Sequence, residues 1–331
     1  MKLAKFGFRG TINWYPGHMH KAMKEMKQRL GSVDIVVEVR DARAPRSSAP
    51  AFFYEEDVYR GKRKVVVLNK ADLAGMRAGE RSDLRTMYSM DPSVEAVLAC
   101  TASSSRSVSD IIDRILTLLR PKRLANGRVR AVRRSQILVA GLPNVGKSTV
   151  INSVRRLKLR QSAKNAAAVG ARPGVTRRVS DAIKICDAPP VFMVDSPGVM
   201  LPRVDDAEVG LKLMLLDCIK ESRVEMETTV DFLLFILNRR EDHRYVAALN
   251  LLEPTSNIHV LLRHVAAQRF DGSTRARTQA AAYFLDLYRK GLVGRFGLDD
   301  FEYPLVENVP SSVADTLDDS TRRDDSTDSP E

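Results

Sequence analysis

The chain has 331 residues, 44% of them hydrophobic and 28% charged, with a net charge of +12 and a pI near 9.7. That is enough for about two domains and a sizeable core, and the charge points to a polyanionic partner, nucleic acid ahead of an anionic membrane surface, against the plainer reading of a solvated basic face. Cys100, Cys186 and Cys218 are scattered and odd in number, which excludes a disulfide framework and a zinc spacing, and no apolar run is long enough to span a bilayer.

The first 24 residues carry Lys2, Lys5 and Arg9 and no acidic side chain, a composition compatible with organelle targeting. Residues 13–30 enter a helix through Pro16-Gly17: Met19, Met23, Met26 and Leu30 form an apolar stripe, with Lys21, Lys24 and Gln28 on another face. The stripe fits packing onto a domain, and the basic face fits RNA or solvent equally. Val33 to Val39, Val65 to Leu68 and Val94 to Ala99 read as buried strands, with helical stretches near 49–60, 75–90 and 107–120. This alternation predicts a parallel sheet covered on both faces.

The second strand runs into Asn69-Lys70-Ala71-Asp72, an N-K-x-D pattern. The Asp72 carboxylate can accept from both N–H groups on the guanine edge, which adenine does not present. Asn69 is expected to tie this turn to a phosphate loop, and Lys70 to lie along base and ribose. Thr101-Ala102 ends the third strand where guanine enzymes have Ser-Ala, whose backbone N–H meets the base oxygen. Residues 120–134 hold Arg120, Lys122, Arg123, Arg128, Arg130, Arg133 and Arg134, a basic linker suited to a nucleic-acid backbone or to solvent.

Ile137 to Ala140 is a further strand, followed by Gly141-Leu142-Pro143-Asn144-Val145-Gly146-Lys147-Ser148-Thr149, which fits G-x-x-x-x-G-K-[ST]. Glycines let backbone N–H groups wrap a phosphate, and the next helix offers it a positive N-terminus. Lys147 would reach the β and γ phosphates and Ser148 would hold Mg²⁺. Arg155 to Arg172 reads as a mobile basic segment leading to Pro173-Gly174-Val175-Thr176, the context of a switch threonine on Mg²⁺. Asp181 to Ile185 and Val191 to Val194 read as strands, the latter ending in Asp195-Ser196-Pro197-Gly198. There Asp195 would hold Mg²⁺ through water and the Gly198 N–H would face the γ-phosphate. Helices are expected at 205–220, 226–238, 241–252, 256–267 and 275–290, with Gly291 as a cap, and an acidic tail follows that composition marks as disordered.

The guanine motifs precede the phosphate loop, and the switch motifs come last, whereas in Ras-like proteins the phosphate loop comes first. Such an order arises when the old termini are joined and the chain is cut after the second switch. On Trp14-Tyr15-Pro16-Gly17-His18-Met19, Asp41-Ala42-Arg43-Ala44-Pro45 and the motifs above, the sequence resembles the circularly permuted GTPases of the YlqF/RbgA family. Gly210-Leu211-Lys212-Leu213 and Asp231-Phe232-Leu233-Leu234 look most like its mitochondrial branch. The resemblance covers nearly the whole chain except the acidic tail; Thr101 for Ser and Ser196 for Thr depart from it.

The resemblance implies an α/β fold: a circularly permuted Ras-like P-loop GTPase domain at 31–203, preceded by a basic arm and helix at 1–30 and followed by a helical RNA-binding domain at 204–300 and the tail at 301–331. It implies GTP hydrolysis to GDP with Mg²⁺, and a role in late assembly of the large ribosomal subunit through its rRNA. Asn144 resembles the asparagine that holds K⁺ in related enzymes. Val199 stands where Ras-like enzymes put the water-orienting Gln, so slow intrinsic turnover is expected. His18 then either orients the water or merely caps the first helix or binds RNA. The expected setting is mitochondrial, matrix or peripheral to the inner membrane, with a cytoplasmic one as alternative, and a monomer without zinc or transmembrane segment. A non-catalytic GTP-responsive rRNA scaffold remains the competing function; a membrane-trafficking GTPase lacks its C-terminal Cys motif.

Overall fold

Seven residues, Ile35–Asp41, form β2, and all of them are buried. They lie at the middle of a six-stranded sheet of order β4-β3-β2-β5-β7-β6, where β3 is Arg63–Asn69, β4 Val94–Ala99, β5 Ser135–Ala140, β6 Ala182–Asp187 and β7 Pro190–Asp195. Side chains such as Val37, Val65, Val67, Ile137 and Val139 are wholly buried, which is why these runs carry no polar alternation. The computed structural model describes residues 12–13, 30–50, 61–75, 91–120, 134–169, 182–196, 203–204, 206–219, 223–271 and 273–299. Five strands run parallel, and β6 pairs antiparallel with β7 at one edge, so the expectation of a purely parallel sheet is corrected there. The turn from Asp187 to Pro190 is too short for a crossover, which leaves a hairpin as the available connection. A second, two-stranded sheet joins β1, Ile12–Asn13, to β8, Arg203–Val204.

Helix α1, Ser105–Leu118, buries Val108, Ile111, Ile112 and Ile115, and the Ser104 side chain caps it. Helix α2, Lys147–Val169, runs 23 residues. The mobile segment read from Arg155 is therefore helical as far as Val169. The stretch is rich in Ala, Arg, Lys and Leu and has no Gly or Pro until Gly170. The expected helices at 49–60 and 75–90, the arm at 14–29, the basic linker at 121–133 and the acidic tail lie almost wholly outside the described residues.

The helical part comprises α3 Ala207–Leu215, α4 Arg223–Arg239, α5 Arg244–Ala248, α6 Ile258–Arg269 and α7 Thr274–Arg289. Asp206, Asn257 and Ser273 cap α3, α6 and α7 with their side chains. The helix expected at 241–252 shrinks to α5, because Glu241 and Asn250 both take positive φ at its flanks. Gly291 closes α7 at φ +72°: its N–H donates to Tyr288 O, and Leu292 N–H to Leu287 O. Among the described residues no helix is long and apolar enough to cross a membrane.

Candidate nucleotide-binding site

The parallel strands β2, β3, β4, β5 and β7 all end at one edge of the sheet, the carboxyl edge at which open α/β sheets bind ligands. The phosphate-loop glycines are dictated by their neighbours. Gly141 has φ +148°, and a Cβ there would overlap Val39 O; Gly146 has φ +95°, and its Cβ would overlap Asn69 Nδ2. The loop is thus wound close against β2 and the N-K-x-D turn. Lys147 is buried and donates to Leu142 O across the loop at 2.7 Å. Burial pushes its ammonium down to about 8, while Asp195 pulls it up.

Ser148 and Thr149 are exposed in the first turn of α2. Ser148 Oγ donates to Asp195 Oδ2 at 3.4 Å. A hydroxyl and a carboxylate beside a free helix N-terminus are hard oxygen donors that fit Mg²⁺ next to phosphate oxygens. No group of three or more His, Cys, Asp or Glu able to hold a metal occurs among the described residues.

On the base side Asn69 is 2% exposed; its Nδ2 donates to Val145 O at 2.9 Å and its Oδ1 accepts from Ala102 N at 3.2 Å. One amide therefore joins three loops, and the Ala102 N–H expected to face the base oxygen is engaged by Asn69. Ser153 Oγ donates to Ala102 O at 2.7 Å and fixes the same loop to α2. Asp72 is exposed, and its Oδ1 accepts from Thr101 Oγ1 at 3.2 Å, so the hydroxyl orients the carboxylate that would read the base. Lys70 donates to Asn144 O at 2.8 Å and pairs with Asp41 Oδ2 at 3.0 Å.

Three residues at this edge carried no role in the sequence reading. Asp41 and Arg43 form a buried ion pair beside Lys70. Asp217 ends α3 at φ +63°, in a cap whose N–H groups return to Met214 O and Leu213 O. Glycine is the usual residue there; aspartate instead accepts from Asn144 Nδ2 with both its backbone oxygen, at 2.7 Å, and Oδ2, at 3.0 Å. Asn144 is itself left-handed, at φ +57°. An aspartate in place of the cap glycine was the available signal. Cys100 and Cys218 are buried thiols pushed up to about 12 by desolvation, so neither is a nucleophile. His18, Thr176 and Gly198 lie outside the described residues.

Residues 136–264 match the family model described as 50S ribosome-binding GTPase. The chain is 34% identical over 308 residues to mitochondrial GTPase 1 of Aedes aegypti, covering 89% of this chain and 96% of that protein. It is 35% identical over 305 residues to mitochondrial ribosome-associated GTPase 1 of Mus musculus, covering 87% and 90%. Against the same-named protein of Xenopus tropicalis the identity is 34% over 313 residues, covering 89% and 96%. Likeness at this level, extending from the guanine-reading half through the helices, shows that the chain belongs to the family of mitochondrial ribosome-associated GTPase 1.

Proposed function

We propose that the protein hydrolyses GTP while bound to the large subunit of the mitochondrial ribosome and acts late in that subunit's maturation. The observation that carries the nucleotide half is the Asn69 side chain, which holds the guanine-reading turn, the Thr101-Ala102 loop and the phosphate loop together. The names of the relatives and the +12 charge support the ribosomal half, and the names a mitochondrial setting; we read the protein as a monomer in the matrix or at the inner-membrane surface. We read residues 31–203 as a circularly permuted Ras-like domain, because the strands bearing the guanine motifs come first in the chain yet flank the phosphate-loop half in space. Residues 204–300 are then the rRNA-binding part.

Attack of water on the γ-phosphate needs charge neutralisation and a positioned water. Lys147 and the phosphate-loop N–H groups would supply positive potential, Val145, Gly146 and Thr149 would line the phosphates, and Ser148, Thr176 and, through water, Asp195 would hold Mg²⁺. Mg²⁺, when bound, screens the β- and γ-phosphate charge. The resemblance assigns the Gly198 N–H to the γ-phosphate. Val199 cannot orient water, so turnover is slow until His18 or the subunit does so. Asn144 Oδ1 is the oxygen that would hold K⁺, and the Nδ2 bonds to Asp217 fix its direction.

Val199 also favours a second reading, a GTP-responsive rRNA scaffold without turnover. Sedimentation with mitochondrial large subunits in GTP, GDP or a non-hydrolysable analogue, with phosphate release measured in parallel, separates the two. Nucleotide-dependent binding with stimulated phosphate release is expected. Binding without release selects the scaffold, and nucleotide-independent behaviour overturns both.

A further inference from the structure

The Asp41-Ala42-Arg43-Ala44-Pro45 motif has no part in the reaction just described. It leaves β2 between the guanine-reading turn and the phosphate loop, with Asp41 opposite Asn69 in register. The Asp41 carboxylate is wholly buried and saturated. Its Oδ1 accepts from Arg43 N and Arg43 Nε, each at 3.0 Å; its Oδ2 accepts from Arg43 Nη2 at 2.8 Å and pairs with Lys70 Nζ at 3.0 Å. Lys70 sits at φ +60°, a region that disfavours any residue but glycine. Its ammonium is fixed by Asp41 and Asn144 O, which leaves one of three N–H donors for a nucleotide.

The far side of Arg43 faces the helical domain. Its guanidinium lies 5.4 Å from the ring centroid of Tyr288, in the last turn of α7, and Arg43 O accepts from Leu298 N at 2.5 Å. Arg43 Nη1 and Tyr288 Oη are buried and face each other without a bond of full hydrogen-bonding geometry; burial pushes the phenol's pKa up, against a smaller downward pull from the guanidinium. A buried guanidinium costs more than an apolar side chain of similar volume unless its partners are well placed, so packing alone does not account for this arginine. The guanine-reading turn also abuts the segment after α7 directly. A Cβ on Gly75 would overlap Arg295 O, and one on Gly291 would crowd Leu73 Cδ2.

We propose that Asp41 is a positioning residue for Lys70, and that Arg43 carries the position of that lysine to the last turn of α7, so that guanine-nucleotide binding is felt in the helical domain from its base side. The inference rests on the guanine-nucleotide reading of the site. The planar, bidentate guanidinium suits the role because it fixes orientation at both ends, to a carboxylate and to an aromatic face.

The test is amide hydrogen exchange of residues 284–289 with and without GDP, in the full chain, alongside equilibrium GDP binding. GDP is expected to slow exchange there in the native protein. Tyr288→Leu should abolish the slowing while GDP affinity stays within about threefold, and Tyr288→Phe, which keeps the ring, should retain it. Asp41→Asn should weaken GDP binding about tenfold, the loss of one charge-assisted contact to the reading lysine, and should have no further effect in a Lys70→Met background. If Asp41→Asn does not fold, Arg43→Lys keeps a charge beside Asp41 without the fork; it should bind GDP normally and lose the α7 response. GDP binding with no change at α7, a response that survives Tyr288→Leu, or an Asp41→Asn effect of equal size in both Lys70 backgrounds would overturn the proposal. Absence of GDP binding by the native chain would instead overturn the guanine-site reading on which it rests.

Discussion

Replacing Gly146 by Ala puts a methyl group where Asn69 Nδ2 lies and an L side chain at φ +95°. The backbone strain alone costs about 1–2 kcal/mol. Displacing Asn69 breaks its bonds to Val145 O and Ala102 N and strands both buried groups, about 2–4 kcal/mol more. Asn69→Ala removes the same two bonds, at a similar cost, and also removes the obstacle above residue 146. The double variant should then suffer the Asn69 loss once, plus the strain. Urea unfolding of the two single variants and the double should show a favourable coupling of about 2–4 kcal/mol, the Asn69 loss counted once. GDP affinity should follow the same cycle, because the displaced amide joins the base and phosphate loops. Additivity within about 0.5 kcal/mol in both measurements would mean that Asn69 is not what holds the loops together.

Asp72→Asn should weaken GTP binding and shift preference towards a xanthine nucleotide, since the amide donates where xanthine offers a carbonyl; equal affinity of the native protein for ATP and GTP would defeat the assignment. Burial raises the Asp41 pKa, but hydrogen bonding and charge from Arg43, with Lys70, lower it below 3.8 overall. Its stabilisation is therefore fully present above about pH 4 and lost as pH falls through the depressed value. In Arg43→Met burial opposes a single cation and the pKa rises above that of the unfolded chain, so the urea midpoint should fall as pH rises from 4 to 7, a trend absent from the native protein. GTP hydrolysis should be faster in KCl than in NaCl at matched ionic strength, and Asn144→Ala should remove the difference. Reversal of Arg128, Arg130 and Arg133 to Glu, all outside the described residues, should weaken large-subunit binding across a salt series and leave GTP affinity nearly unchanged.

The main-sheet strands were legible from short apolar runs, several ending in a motif, as Val65 to Leu68 runs into Asn69; β4 matches the expected Val94 to Ala99 at both ends, whereas the two-residue β1 and β8 carry no such run. The nucleotide motifs were legible for a related reason: each is a contiguous stretch with its chemistry written in order. The length of α2 was misread because alanine, arginine and lysine serve mobile loops and solvated helices alike, and only the absence of Gly and Pro distinguishes them. What joins the loops was hidden by separation along the chain. Asn144 meets Asp217 across 73 residues, and Arg43 meets Tyr288 from the other end of the protein. No local pattern announces such a partner, although an aspartate at a helix cap that favours glycine marks a side chain with other work.

The strand order divides the sheet into two blocks, each continuous in sequence. β2, β3 and β4 come from residues 35–99, and β5, β6 and β7 from residues 135–195. Their common seam is the pairing of β2 with β5 over four residue pairs, Ile35 with Ile137 through Glu38 with Ala140. The first block carries the N-K-x-D turn and the second the phosphate loop, so on the proposed site one GTP molecule would span the seam as a removable staple. Ligand that binds only the joined form stabilises it by about 2.7 kcal/mol at a hundredfold excess over Kd. During synthesis the first block emerges before the second, so nucleotide is expected to favour closure of the sheet once both are present. A chain cleaved between residues 120 and 134 should accordingly reassemble from its two fragments better in the presence of GDP than without it.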